Sequence, residues 1–469
     1  MSFIVYDLVF LGIFLILIAA FLYKKRKNIK KESGLLLYKT HWGIKFINHV
    51  GKKYKKTLRV LSYISVGLGY LLMVGILWLF YTIVKIYLLR PDVVAQIKVP
   101  PIMPLIPYID KVVPFLPPFY FTYWIVILAI IAISHEFSHG IFMRRYNIKI
   151  KSTGFGFFPF FLPIFLAAFV EQDEKSMVKS KNFEQRAVLG AGTFANVITA
   201  ILFFVVLWGF FSASFAPTGV AFDDYAYTAV NISTITMING LAVFNPSQEQ
   251  LAELAKDAAF NNITAGEQKF IAIAGFVGKE HVLLYHDLPA IKTGINGPIM
   301  EINNQKITSV EELGEELDKY SPGGIIIIKT KGKEKTQEYE IVLGENPEDP
   351  EKAWLGIGFK NKESSGLMGK IFAALASFKK PNVYYESEIG EFGWFIYYLL
   401  WWLILISISV ALVNMLPMGI VDGGRFFYLT VLAITKSEKT AKKSFKWLTY
   451  FFLFLLLLIM IFWAYALIF

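Results

Sequence analysis

The sequence predicts a polytopic α-helical membrane protein, about six spans plus one re-entrant loop, with a soluble α/β insert between its last spans. Three observations carry this. Of the 469 residues, 55% are hydrophobic, 16% aromatic and only 18% charged, a balance outside the range of ordinary soluble domains. Apolar runs near the ~20 residues that a bilayer core demands recur at 3–23, 60–89, 119–142, 187–212, 392–416 and 447–469. Between about 215 and 390 the composition turns polar and acid-weighted, with turn signals such as Ser321-Pro322-Gly323-Gly324.

The first run lacks a basic start, has a long apolar core and is followed by no small-residue cleavage site, so it is expected to be a retained anchor. Between Lys24 and Arg59 stand thirteen Lys and Arg against one Glu. That surplus exceeds the whole net charge of +11 and follows the positive-inside pattern of a solvated cytoplasmic loop, so the basicity does not call for nucleic acid. The span at 60–89 returns the chain outward to a proline-rich stretch, 91–118. The span at 119–142 then runs inward and ends on Arg144-Arg145, with Lys149 and Lys151 beyond. No cysteine is present, which excludes disulfides and thiolate ligands and leaves His, Asp and Glu to bind any metal.

Residues 155–170 are apolar but short, and contain Pro159 and Pro163. They fit a re-entrant loop packed in protein better than a lipid-exposed helix. Four regions follow: 1–118, two spans and the basic loop; 119–214, the first half of a membrane core; 215–390, an extracytoplasmic insert; and 391–469, the second half of the core. The insert holds a faint internal repeat. Ile238-Asn239-Gly240-Leu241 before Gln248–Leu254, and Ile302-Asn303-Asn304-Gln305 before Val310–Leu317, both read as strand, tight turn, strand, helix. The stretch from Pro289 to Leu343 resembles a PDZ domain of the kind found in membrane proteases. The resemblance implies an extended peptide held at a sheet edge, and both a tandem pair and a single copy with a long insertion fit the pattern.

The third span ends in His135-Glu136-Phe137-Ser138-His139. Two histidines at i, i+4 project from one helical face, one turn apart, where their nitrogens can share one metal. Glu136 stands beside them as a base, and HExxH couples metal-activated water to a carboxylate that takes its proton. The competing reading is a polar seam between helices, but ionisable groups inside a membrane are costly and usually functional. Two histidines leave a zinc site one protein ligand short. The outstanding candidate is Asp422, in Asn414-Met415-Leu416-Pro417-Met418-Gly419-Ile420-Val421-Asp422-Gly423, which is alternatively a cap for the helix after it. A re-entrant 155–170 puts Asp422 and the histidines at one depth; a crossing there would separate them. The other histidines, His41, His49, His281 and His286, lie in polar segments.

At these residues the chain resembles the site-2 protease family of intramembrane zinc metalloproteases, on His135-Glu136-x-x-His139 and on Asn414-x-x-Pro417-x-x-x-x-Asp422-Gly423. The resemblance implies that His135, His139 and Asp422 bind Zn2+, that Glu136 is the catalytic acid and base, and that the substrates are transmembrane segments of membrane proteins in a cell membrane. The positive-inside pattern places the site towards the cytoplasm, and the resemblance implies a PDZ-like sieve outside. A weaker likeness is Gly192-Thr193-Phe194-Ala195-Asn196, which makes Asn196 a candidate for positioning substrate or else interhelical glue; Asn414 reads either as lining the site, where it could position substrate, or as holding the helix break. The rival expectations are a metal transporter built on the same ligands and a catalytically silent scaffold carrying the PDZ-like groove.

Overall fold

The computed structural model describes residues 3–32, 35–90, 94, 103, 105–113, 116–157, 165–255, 260–273, 280–332, 335–346, 349–359, 373 and 377–468. The chain forms two compact units, one of residues 1–210 with 394–469 and one of residues 211–393.

The first unit is helical. Six helices among the described residues are long and apolar enough to cross a membrane: α1 (Phe3–Lys24), α3 (Lys55–Leu89), α4 (Phe121–Arg145), α6 (Asn182–Ser214), α10 (Glu391–Asn414) and α12 (Glu438–Ile468). Their apolar residues surround the whole helix, as expected where lipid and protein share the surface. Shorter helices are α2 (Ile44–Lys53), α5 (Glu174–Lys179) and α11 (Asp422–Thr435).

Helix α4 carries the HExxH residues, and its first turn is fixed from another span. Asp7 of α1 is 2% exposed and accepts the backbone N–H of Phe121 at 2.7 Å and of Thr122 at 2.9 Å. It also accepts the hydroxyls of Thr122 and Tyr108. One carboxylate thus serves as the cap that the sequence before α4 does not supply, at the end where the helix dipole favours negative charge. Arg144 and Arg145 complement the opposite end.

The basic segment after α1 differs from a plain solvated loop. Its strands β1 (Ile29–Glu32) and β2 (Leu35–Thr40) join β3 (Ile150–Phe157) and β4 (Phe165–Gln172) in one antiparallel sheet of order β1-β2-β3-β4. Tyr38 pairs with both Ile29 and Phe155, and Thr153 pairs with Val170. The described ends of the 155–170 run are therefore strands and not part of a membrane-crossing helix; Phe158, Pro159 and Pro163 lie outside the described residues.

Between α10 and α11 the chain breaks at Met415–Val421 and folds back tightly. A side chain at Gly423 would strike the backbone of Met415 and Leu416, and one at Gly424 the backbone of Met418. The glycines permit the turn that sets Asp422 as the first residue of α11. Asp422 makes no capping bond there, so the cap reading is not the one adopted. Buried Phe142, Met143, Val170, Val188, Met415 and Phe426 fill one core around this break.

Among the described residues the second unit holds two small two-stranded sheets and two larger ones, each of the larger with its own core. One runs β7-β12-β11-β10-β8-β9 over Ile235, Ile238, Leu251, Ile263 and Val282, and the other runs β16-β15-β13-β5-β20 over Ile299, Ile302, Leu313, Ile326 and Ile341. Here β5 is Phe215–Val220, β7 Tyr227–Asn231, β8 Ile235–Ile238, β9 Leu241–Ala242, β10 Asn261–Ala265, β11 Gln268–Ala272, β12 His281–His286, β13 Ile299–Ile302, β14 Gln305–Lys306, β15 Ile325–Lys331, β16 Thr336–Val342 and β20 Val383–Ser387. The repeated pattern appears as hairpins β8–β9 and β13–β14. Each turns on two residues of positive φ, Asn239-Gly240 and Asn303-Asn304, the requirement of a two-residue hairpin loop matched to strand twist. Each is followed by a helix capped by serine, Ser247 before α7 (Gln248–Leu254) and Ser309 before α9 (Val310–Leu317). In β15, Ile326 and Ile328 are buried while Ile325 and Ile327 are exposed, a two-residue period that four consecutive isoleucines conceal in the sequence. Of the remaining histidines His41, His49 and His281 are exposed. His286 instead packs between Phe270 and Trp354, and burial holds its pKa below the usual imidazole value.

Candidate active site

One turn of α4 brings the ring nitrogens Nε2 of His135 and His139 to 3.0 Å from each other. Asp422 Oδ2 lies 3.3 Å from each. Both histidines are buried, 8% and 7% exposed. His139 Nδ1 stands 2.7 Å from the carbonyl oxygen of Val188, so it must donate, and the neutral ring then presents a bare lone pair at Nε2. His135 Nδ1 is 3.1 Å from the side-chain amide of Asn196. In the opposite amide orientation Asn196 Oδ1, which otherwise is buried without a partner, accepts from that nitrogen and fixes the same tautomer.

With both rings neutral, two bare nitrogens and a carboxylate oxygen converge. Such a set repels itself unless a cation sits among the three. The spacing matches: ligand bonds of ~2.0–2.1 Å in a tetrahedron put ligand atoms about 3.3 Å apart. The donors are the borderline nitrogens and hard oxygen that suit zinc. Space for the ion comes from α6, where a Cβ at Gly192 would press against Nε2 of both histidines. The residues present therefore fit a zinc ion.

Glu136 belongs to the same cluster but is held elsewhere. Its Oε2 accepts the backbone N–H of Val170 at 2.9 Å. Val170 is in β4, the edge of the four-stranded sheet, whose other side pairs with β3. The N–H bonded to Glu136 therefore points to the free edge, and by the two-residue period so does that of Ala168.

Two cavities open on the cluster. One of about 500 Å3 is bordered by Leu128, Ile131, Ala132, Val410 and Ile420, with His135, Glu136 and Asp422. The other, about 460 Å3, reaches Glu136, His139 and Asp422 from a charged side bearing Lys39, Lys151, Glu171 and Glu174. There the Ser152 hydroxyl at 2.6 Å and Lys39 at 3.1 Å hold the Glu171 carboxyl below the usual carboxylate range. Arg425 and Glu174 form an ion pair at 3.3 Å.

Thus His135, Glu136, His139 and Asp422 come together. Asn196 contacts His135, and Asn414 lines the 500 Å3 cavity with Asp422. Gly154–Phe157 is an interior strand paired on both sides, and among the described residues the unpaired edge belongs to β4. Three participants escaped the sequence reading, namely Gly192 as the space for the ion, the Val188 carbonyl and the β4 edge. Asp7, a lone acid in an apolar run, was visible there as an anomaly.

The family model described as Peptidase family M50 matches residues 123–459. An uncharacterized protein of Methanocaldococcus jannaschii is 30% identical over 175 residues, which cover 36% of this chain and 42% of that protein. The chain thus spans less than half the length of this relative. The family match runs from the start of α4 into α12 and encloses every residue of the cluster, so this chain belongs to peptidase family M50.

Proposed function

We propose that the protein hydrolyses peptide bonds within transmembrane segments of membrane proteins, using a zinc ion held by His135, His139 and Asp422. The observation that carries the reading is the free edge of β4, bonded to Glu136 beside the three metal donors and at the end of an apolar cavity. A substrate helix hides its carbonyls in its own hydrogen bonds, so it must unwind to be cut. An unwound segment needs backbone partners in a dry place, and a strand edge supplies them.

A bound zinc ion would supply an electrophile that acidifies water and stabilises negative charge on oxygen. The chain's residues do the rest. Strand addition at β4 takes the Val170 N–H for a substrate carbonyl and so frees the Glu136 carboxylate. Glu136 accepts a proton from the attacking water as the new C–O bond forms, and returns it to the leaving nitrogen as the C–N bond breaks. Asn196 holds the His135 ring, and Asn414 offers its amide to substrate backbone in the apolar cavity.

The basic ends of α1, α3 and α4 support a cytoplasmic side for the site and an extracytoplasmic position for 215–390, in a cell membrane. The insert reads as two PDZ-like modules, on the paired hairpin-and-helix pattern, that take extended peptide and admit substrates whose ectodomains have been trimmed. With no native cysteine, single cysteines at the exposed positions Lys27 and Lys269 test this orientation. An impermeant thiol reagent should reach position 27 only from the cytoplasm and position 269 only from outside, and the reverse pattern would invert it.

A metal transporter has no use for an acid held off the metal by a sheet edge, and a silent scaffold has no use for the metal. Comparing the membrane proteomes of cells with the active chain and with Glu136→Gln tests the proposal. Transmembrane fragments should accumulate only with the active chain; identical proteomes, or zinc flux through reconstituted protein, would overturn it.

A further inference from the structure

Helix α2 has two faces of opposite character. Ile47, fully buried, and Gly51 turn to α4. The fit is close: a side chain at Gly51 would strike Arg144 and the Ile141 carbonyl, and one at Gly140 would strike Ile47. The opposite face carries Lys45, Asn48, His49, Lys52 and Lys53, at i, i+3, i+4, i+7 and i+8, around a shallow hollow of about 530 Å3. Among the described residues no carboxylate pairs with Lys45, Lys52 or Lys53; Lys53 lies over the Tyr54 ring. Asn48 lines the hollow with its Oδ1 buried and lacking a donor.

The position of α2 says what covers this face. It directly precedes the span α3 and lies against the Arg144-Arg145 end of α4, where Arg145 Nε donates to the Lys55 carbonyl. It therefore sits at the end of two spans, at headgroup depth. Trp42 and Phe46, 55% and 57% exposed, flank the basic face with aromatic surface, the pairing of an interfacial helix.

We propose that the basic face of α2 is a binding surface for the phosphates of anionic phospholipids of the surrounding leaflet. Charge complementarity supports that occupant: three lysines without acidic partners and an adjacent Lys55, Lys56 and Arg59 make a field that an anionic leaflet matches, at about a fivefold gain per cation. Because α2 is keyed into the HExxH helix on its other face, lipid contact would steady the segment from Gly140 to Arg145.

Amide hydrogen exchange of residues 44–53, read on the full chain in vesicles, tests this without reference to proteolysis. Exchange should slow roughly tenfold on passing from wholly zwitterionic vesicles to vesicles containing phosphatidylglycerol. The triple variant Lys45→Gln, Lys52→Gln, Lys53→Gln should lose that slowing while keeping its metal. Equal exchange in both vesicles, or full protection in the triple variant, would overturn the proposal. So would protection by inorganic phosphate added to zwitterionic vesicles, which would assign the face to free phosphate.

Discussion

Glu136 Oε2 accepts the Val170 N–H at 2.9 Å, which joins the carboxylate of the HExxH helix to the outer edge of β4. In the proposed mechanism base and substrate strand compete for this single hydrogen bond, so that docking a substrate strand would release the carboxylate.

Ala168→Pro follows from that competition. Proline removes a donor facing the free edge without touching the metal donors. A lost hydrogen bond of about 1 kcal/mol lowers kcat/KM roughly fivefold, and zinc content should stay unchanged. An unaltered kcat/KM, measured with a reconstituted transmembrane substrate, would remove the edge from the mechanism. Proline at Phe157 is a different experiment, since that residue is paired with both Leu36 and Phe165 and its replacement damages the sheet itself.

Gly192→Ala should abolish metal binding while leaving α6 helical. The added methyl meets both Nε2 atoms, and neither ring can retreat, because Val188 and Asn196 hold them. Elemental analysis of the purified variant should find little zinc, and a full complement would show that the ion does not occupy the space beside Gly192.

Asn196→Ala should weaken zinc affinity by about 10–100-fold, the usual cost of losing a group that orients a ligating imidazole. Asn196→Asp, which keeps an acceptor for His135 Nδ1, should restore most of it. Chelator competition measures both. Equal affinity in the alanine variant and the parent would return Asn196 to a role with substrate alone.

Asp7→Ala leaves two backbone donors and two hydroxyls around the first turn of α4 without their acceptor. A cost of roughly 3 kcal/mol follows, seen as a lower unfolding temperature in detergent. An unchanged temperature would mean that α1 contributes nothing to seating α4.

The spans were legible in the sequence because lipid forces long apolar runs, and His135, Glu136 and His139 because their spacing is local; Asp422, far along the chain, stood out as an acid in an apolar segment and through the family resemblance. The sheet was not. Lys and Glu dominate β1 and mask its pairing, while β4 is an apolar run that reads equally as re-entrant loop, strand or buried helix. Whether β3 or β4 is the free edge depends on β1 and β2, more than a hundred residues upstream, and no local pattern carries that. The role of Gly192 was similarly silent, since it is a space and not a group.

A metal held by two histidines and Asp422, with Glu136 as base and not ligand, is tested by zinc content measured together with cleavage of a reconstituted transmembrane substrate, in the parent, Glu136→Gln and Asp422→Ala. Glu136→Gln should keep about one zinc per chain and lose cleavage, and Asp422→Ala should lose both zinc and cleavage. Zinc lost from Glu136→Gln, or fully retained by Asp422→Ala, would contradict it.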